Sequence, residues 1–191
     1  MPAMPRLPVV GVMGSGREPH GERARRLGEW IARAGFHLLT GGGQGVMAAV
    51  TEAFVGVPDR RGVAIGILPA APGDAVAAAP PGYPNPWVEI VVRTHLDQVG
   101  PRGAGAASRN HLNVLSSDVV IVLPGSEGTA SEARLAVHYR RPCIAWLARR
   151  ADVPGLPGAV PVESRFPAVE AFVREACRRA SADQGSGTGM R

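Results

Sequence analysis

The residues of this sequence whose types and spacing suit chemistry fall in one stretch, Leu123-Pro124-Gly125-Ser126-Glu127-Gly128-Thr129, with Glu132 three residues further on. Glycines at the start of a helix leave backbone N–H groups unshielded, the helix dipole favours an anion, and Ser126 and Thr129 add hydroxyls. That set suits a phosphate monoester. A second turn, Gly41-Gly42-Gly43-Gln44-Gly45, places four glycines in five residues ahead of another helix and offers the same kind of anion site. The third, Gly14-Ser15-Gly16 after Gly11, has glycine spacing of the dinucleotide type, although its helix follows several residues later and a plain tight turn explains it equally well.

Arg109 opens the helix that precedes the strand leading into the 123–132 stretch. Facing Glu132 beside a phosphate cradle, it would supply a bidentate fork, and the carboxylate a hydrogen bond to ribose hydroxyls. Plainer readings are open for both. Thr129 and Glu132 have the spacing of a capping box, with Thr129 capping the helix and Glu132 reaching back to its amide, and Arg109 is also readable as a solvated helix-start residue. Asn110 and His111 follow Arg109, but adjacent helical positions point to different faces, so one or two of the three at most share a site.

Composition removes several alternatives. All 21 basic residues are arginine, which excludes a Schiff base to pyridoxal phosphate and the lysine of a GxxxxGK[ST] phosphate loop. The net charge is +5 and the pI about 10.5, yet the arginines are dispersed and not interleaved with aromatics, so the expected partner is a small anionic ligand and not nucleic acid. Cys143 and Cys177 read as buried apolar residues, and the five histidines show no ligand spacing. No metal site and no resident cofactor are expected. Neither is a membrane span, since no apolar run approaches the ~18 to 20 residues required; nor does MPAMPRLPVV have the build of a secretory signal. The expected location is the cytoplasm.

The elements that must position these residues alternate. Short strands at 8–13, 36–40, 62–68, 87–94, 118–123 and 142–147 are interleaved with helices at 20–34, 46–55, 108–115, 129–139 and 167–180. Gly35 suits the C′ position of the first helix. The run 69–86, rich in Pro, Ala and Gly, reads as an irregular connection, 100–107 as a linker or a lid, and 153–161 as a proline-broken segment. Residues 1–180 are expected to form one domain and 181–191 a disordered tail. Near-continuous apolar strands imply an α/β fold, a doubly wound, mostly parallel Rossmann-like sheet with helices on both faces, whose ligands sit beyond the carboxyl ends of the strands.

The segments GVMGSG, LLTGGGQGVMAAV, GILP, SRN and DVVIVLPGSEGTASE together resemble the LOG superfamily of Rossmann-like proteins, often mislabelled lysine decarboxylases. The superfamily signature PGGxGTxxE stands here as Pro124 to Glu132, with Ser126 in place of a glycine. The resemblance implies a homodimer that hydrolyses the N-glycosidic bond of nucleoside 5′-monophosphates, releasing free base and ribose 5-phosphate, with Arg109 and Glu132 as the catalytic pair. Asn110 stands where those enzymes usually carry lysine. The Arg109-Asn110 pair and Gly66-Ile67-Leu68-Pro69 are more similar to the neighbouring branch of molybdenum cofactor carrier proteins, which hold a phosphate-bearing pterin without turning it over. The expected ligand is therefore a nucleoside monophosphate or a pterin cofactor.

Overall fold

The computed structural model describes residues 6–71, 73 and 78–186, the last four by backbone alone. Its strands are β1 (Val9–Met13), β2 (His37–Thr40), β3 (Ala64–Leu68), β4 (Ile90–Arg93), β5 (Val119–Val122), β6 (Cys143–Trp146) and β7 (Val162–Glu163). They form a single sheet in the order β4-β3-β2-β1-β5-β6-β7, parallel at every pairing. The chain therefore winds outward from β1 in one direction, returns, and winds outward from β5 in the other. The strand order reverses between β1 and β5, and a crevice opens there in folds of this kind.

β1 and β5 are buried at every residue because they sit mid-sheet with helices on both faces. On one face lie α1 (Gly21–Arg33), α2 (Val46–Val55) and α5 (Phe166–Ser186), packing Leu27, Ile31, Val50, Phe54, Val169 and Val173 around Val10, Val12 and Ile121. On the other lie α3 (Asn110–Leu115) and α4 (Glu127–His138), whose Val114, Ala133, Leu135 and Ala136 meet Val120 and Val122. Burying such an aliphatic side chain contributes about 1.5 to 3 kcal/mol. α1 ends as its sequence implies: Gly35 takes φ +78°, and the Phe36 amide reaches back to the Ile31 carbonyl.

Beyond shifts of one or two residues at strand and helix ends, the sequence reading is corrected at several places. β4 starts at Ile90, three residues later than expected, and all four of its residues are exposed because it is the sheet edge and no helix follows β3 to cover it. The two-residue β7 was not foreseen; it lies in a stretch too short to show a period and is added by pairing with β6. α5 continues to Ser186, six residues into the expected tail, with the Ser181 hydroxyl donating to the Cys177 carbonyl; residues 187–191 lie outside the described part. Finally, α4 begins at Glu127 and not Thr129, with consequences for the site. Among the described residues, no helix is long and apolar enough to cross a membrane.

Candidate functional site

The turns after β1 and β5 are joined by a hydrogen bond from the Ser15 amide to the Pro124 carbonyl (3.0 Å), and the turn before α2 is drawn in by the Val46 amide on the Ser15 carbonyl (2.8 Å). The Ser15 hydroxyl accepts the Arg17 and Glu18 amides at 3.1 and 2.9 Å, which fixes the β1 turn and leaves that hydroxyl its proton to donate. α4 begins beside it. Ser126 is the N-cap residue in extended conformation, its side chain caps no amide, and its carbonyl accepts the Ala130 amide. An uncapped helix start facing a cleft is a place for an anion.

Because the helix starts at Glu127, Thr129 is its third residue and not its cap. The capping-box reading of Thr129 and Glu132 is thereby overturned: Glu132 is a full turn inside the helix and nearly buried. Its Oε1 instead accepts Asn113 Nδ2 at 3.0 Å and lies 3.5 Å from Arg109 Nη1. Burial pushes the Glu132 carboxyl above the usual carboxylate range, against the opposing pull of the Arg109 charge and the Asn113 hydrogen bond.

Arg109 is not a solvated helix-start residue either. It is 5% exposed at the N-cap of α3. Nη1 donates to Asn110 Oδ1 at 2.7 Å, and Nε is buried without a partner. The guanidinium lies so close over Gly41 that any Cβ there would collide with it. Asn110 is held in turn: its Nδ2 donates to the Ser131 hydroxyl (3.2 Å), which donates to the Gly128 carbonyl (2.7 Å). Of the three consecutive residues, Arg109 and Asn110 face the cleft, while His111 turns away to the Tyr139 hydroxyl (2.7 Å) and the Gly105 carbonyl (3.0 Å).

The cleft measures about 710 Å³, within the range of small-molecule sites. Gly14, Ser15, Gly16, Gly41, Arg109, Asn110, Ser126, Gly128, Thr129 and Glu132 all line it. Gly42, Gly43, Gly45 and Gly125 do not. Gly42 donates its amide to Thr40 Oγ1, Gly45 has φ +64° and backs onto the Ser15 carbonyl, and Gly125 donates to the Asp152 carbonyl while leaving room for the Thr129 side chain. The 41–45 turn thus supports Arg109 and the β1 turn, and α2's first amide is already used internally. A Gly41→Ala substitution is accordingly expected to displace the guanidinium and weaken anion binding at least about tenfold, read by calorimetric titration with ribose 5-phosphate, while the fold survives.

Sequence reasoning missed Met47, Tyr83, Val99 and Gly100 on the cleft wall, and Asn113 and Ser131 behind it. Asn113 had a signal, since it stands four residues after Arg109 and so on the same helix face. Tyr83 had none, lying in a run without a period.

The model of the SLOG cluster4 family matches residues 7–155. The chain belongs to that family. The resemblance carried by the 124–132 signature is thus established at the level of the LOG-like Rossmann superfamily. An uncharacterized protein of Archaeoglobus fulgidus is 31% identical over 134 residues, covering 69% of this chain and 75% of its own length. The fold is shared with the molybdenum cofactor binding protein of Rippkaea orientalis (TM-score 0.66, 29% identity, 89% of this chain and 97% of that one). It is shared likewise with the Moco carrier protein of Chlamydomonas reinhardtii (0.65, 28%, 91% and 99%). DNA processing protein A of Helicobacter pylori, described for binding single-stranded DNA, matches at TM-score 0.65 over 88% of this chain and 80% of its own, but at 19% identity that likeness is of fold alone.

Proposed function

We propose that this SLOG-family protein binds a small phosphate-bearing ligand in the cleft between the ends of β1 and β5, holding rather than transforming a pterin cofactor of the kind its cofactor-binding relatives are named for. The observation that carries the reading is Arg109: a nearly buried guanidinium on the cleft wall whose Nε lacks a partner, opposite a helix start that no side chain caps. A nearly buried cation on a cleft wall is costly to hold and is relieved by an anionic ligand. In this reading the phosphate sits between the start of α4, with Ser126, Gly128 and Thr129, and the Arg109 guanidinium, the Ser15 hydroxyl donates to it, and Asn110 meets the sugar or pterin side. Relatives at 28 and 29% identity named for the molybdenum cofactor support this over nucleic acid. Native mass spectrometry of gently purified protein tests it: a stoichiometric phosphate-bearing pterin is expected, and protein that takes up neither pterin nor ribose phosphates under titration sinks it.

A second reading, hydrolysis of a nucleoside 5′-monophosphate to free base and ribose 5-phosphate, is favoured by one observation, the raised carboxyl of Glu132 beside Arg109. A carboxyl in that state can pass its proton to the departing base as the N-glycosidic bond breaks, water adds at the anomeric carbon and gives a proton back to the resulting carboxylate, and Arg109 holds the ribose phosphate. Incubation with AMP and cytokinin ribotides, following free base, separates the two readings.

The protein is further proposed to act in the cytoplasm as a homodimer, residues 6–186 folding as one unit. Leu112, Leu115 and Val137, exposed on the α3–α4 side, support an interface there. Sedimentation at micromolar concentration tests it, a monomer excluding the dimer.

A further inference from the structure

The phosphate reading leaves without a task the stretch of cleft wall where Tyr83 and Met47 meet over Gly43. Tyr83 belongs to the irregular connection between β3 and β4, yet it is not a loose surface residue. Three hydrogen bonds strap its segment to the glycine turn before α2. The Asn85 amide donates to the Gly42 carbonyl (2.8 Å), Asn85 Nδ2 to the Gly43 carbonyl (2.9 Å), and Gln44 Nε2 to the Gly82 carbonyl (2.8 Å). Asn85 is itself buried, so its side chain acts as an internal strut. Directly beneath, Gly43 carries no side chain. A Cβ there would stand 2.7 Å from the Tyr83 ring and 2.8 Å from the Met47 methyl, so both side chains converge over a bare stretch of backbone. The run of glycines at 41–43 thus has two functions of close approach: Gly41 seats Arg109 and Gly43 seats the Tyr83–Met47 pair.

We infer that Tyr83, backed by Met47, is the platform on which the planar heterocycle of the ligand lies, so that the cleft selects phosphate esters carrying a flat aromatic ring over bare sugar phosphates. The inference rests on the proposed placement of the phosphate and extends it to the far end of the ligand. The order along the cleft becomes phosphate between the start of α4 and Arg109, sugar or pterin linkage at Asn110, and heterocycle on Tyr83. A π-face beside a polarizable thioether accepts purines and pterins alike, because every such ring has a flat face and little directional hydrogen bonding is demanded of it. Selectivity among heterocycles is therefore expected to be shallow, and selectivity for having a heterocycle deep.

The test compares two ligands on three proteins, with AMP as the probe carrying a ring and ribose 5-phosphate as the probe without one. Tyr83→Ala is expected to weaken AMP roughly five- to hundredfold, the loss typical of removing one base-stacking side chain, and to leave ribose 5-phosphate within about twofold. Tyr83→Phe is expected to keep both, since the ring and not the hydroxyl carries the contact. Equal losses for both probes in Tyr83→Ala, or none for AMP, overturn the platform. Failure of the unaltered protein to bind either probe instead removes the phosphate reading beneath it, and the two failures are told apart in the same titration.

Discussion

Arg109→Met is expected to lower affinity for AMP and for ribose 5-phosphate by at least about a hundredfold, with little change in the fold. The expectation follows from what the side chain already lacks. Nη1 is shared between Asn110 and the Glu132 carboxyl, Nε has no partner, and the group is almost wholly removed from water. Truncating one member of a buried, hydrogen-bonded charge pair costs about 2 to 5 kcal/mol, and a ligand phosphate seated on the guanidinium loses a contact of that kind. Methionine matches the stem and omits the charge. The Glu132 carboxyl would then keep only the Asn113 hydrogen bond, and with the Arg109 charge gone nothing but burial and that bond would set its protonation. Arg109→Lys is expected to recover only part of the affinity, because an ammonium has no fork with which to span Asn110 and a ligand oxygen together. Isothermal titration with both probes reads the effect. Affinities within about threefold of the unaltered protein would mean that the phosphate is held elsewhere.

What the sequence disclosed of this arrangement divides by physical cause. The parallel sheet was legible because β1, β2, β3 and β5 are short apolar runs closed by glycine or proline and β6 is one opened by Pro142, and period and punctuation are local properties. Arg109 was found because it stands just ahead of a periodic helix, and Ser126, Gly128 and Thr129 because a glycine-rich strand-to-helix turn has a mechanism attached. What escaped is what depends on contacts across the chain. The burial of Arg109 is decided by Gly41, 68 residues away in sequence. Tyr83 enters the cleft only because Asn85 and Gln44 tie a patternless segment to a distant turn. The capping box failed for a more local reason: Gly128 and Glu127 continue the helix backward by two residues, which turns a cap into a third helical position and frees Glu132 from the helix end. In β4 an alternating sequence formed a strand with no buried face, since alternation cannot report which neighbours are missing.

Glu132→Gln decides between holding a ligand and cleaving it. The amide keeps the size of the carboxyl and can still accept from Asn113 Nδ2, but it has no proton of comparable acidity to pass on. If the site is hydrolytic, release of free base from AMP or a cytokinin ribotide should fall about 10² to 10⁴-fold while affinity for ribose 5-phosphate stays within a few fold. If the site only carries, the substitution should leave binding near its original value and there should be no base release to lose. The variant also reports on the carboxyl itself. Burial favours the neutral acid in the folded chain, raising its pKa above the unfolded value, so its contribution to stability is fully present below the ordinary carboxylate pKa and is lost as pH rises through the folded value. Glutamine mimics the neutral acid at every pH. Thermal melts from acid to neutral pH should therefore show the unaltered protein losing ground relative to Glu132→Gln as pH rises, with the two converging in acid. The Arg109 charge opposes this trend, because an ionised Glu132 is its partner at 3.5 Å and an amide is a weaker one. Desolvation outweighs it in the direction of the shift, so a variant whose relative stability instead fell as pH rose would show the ion pair to be dominant and Glu132 to be a structural carboxylate in the neutral range.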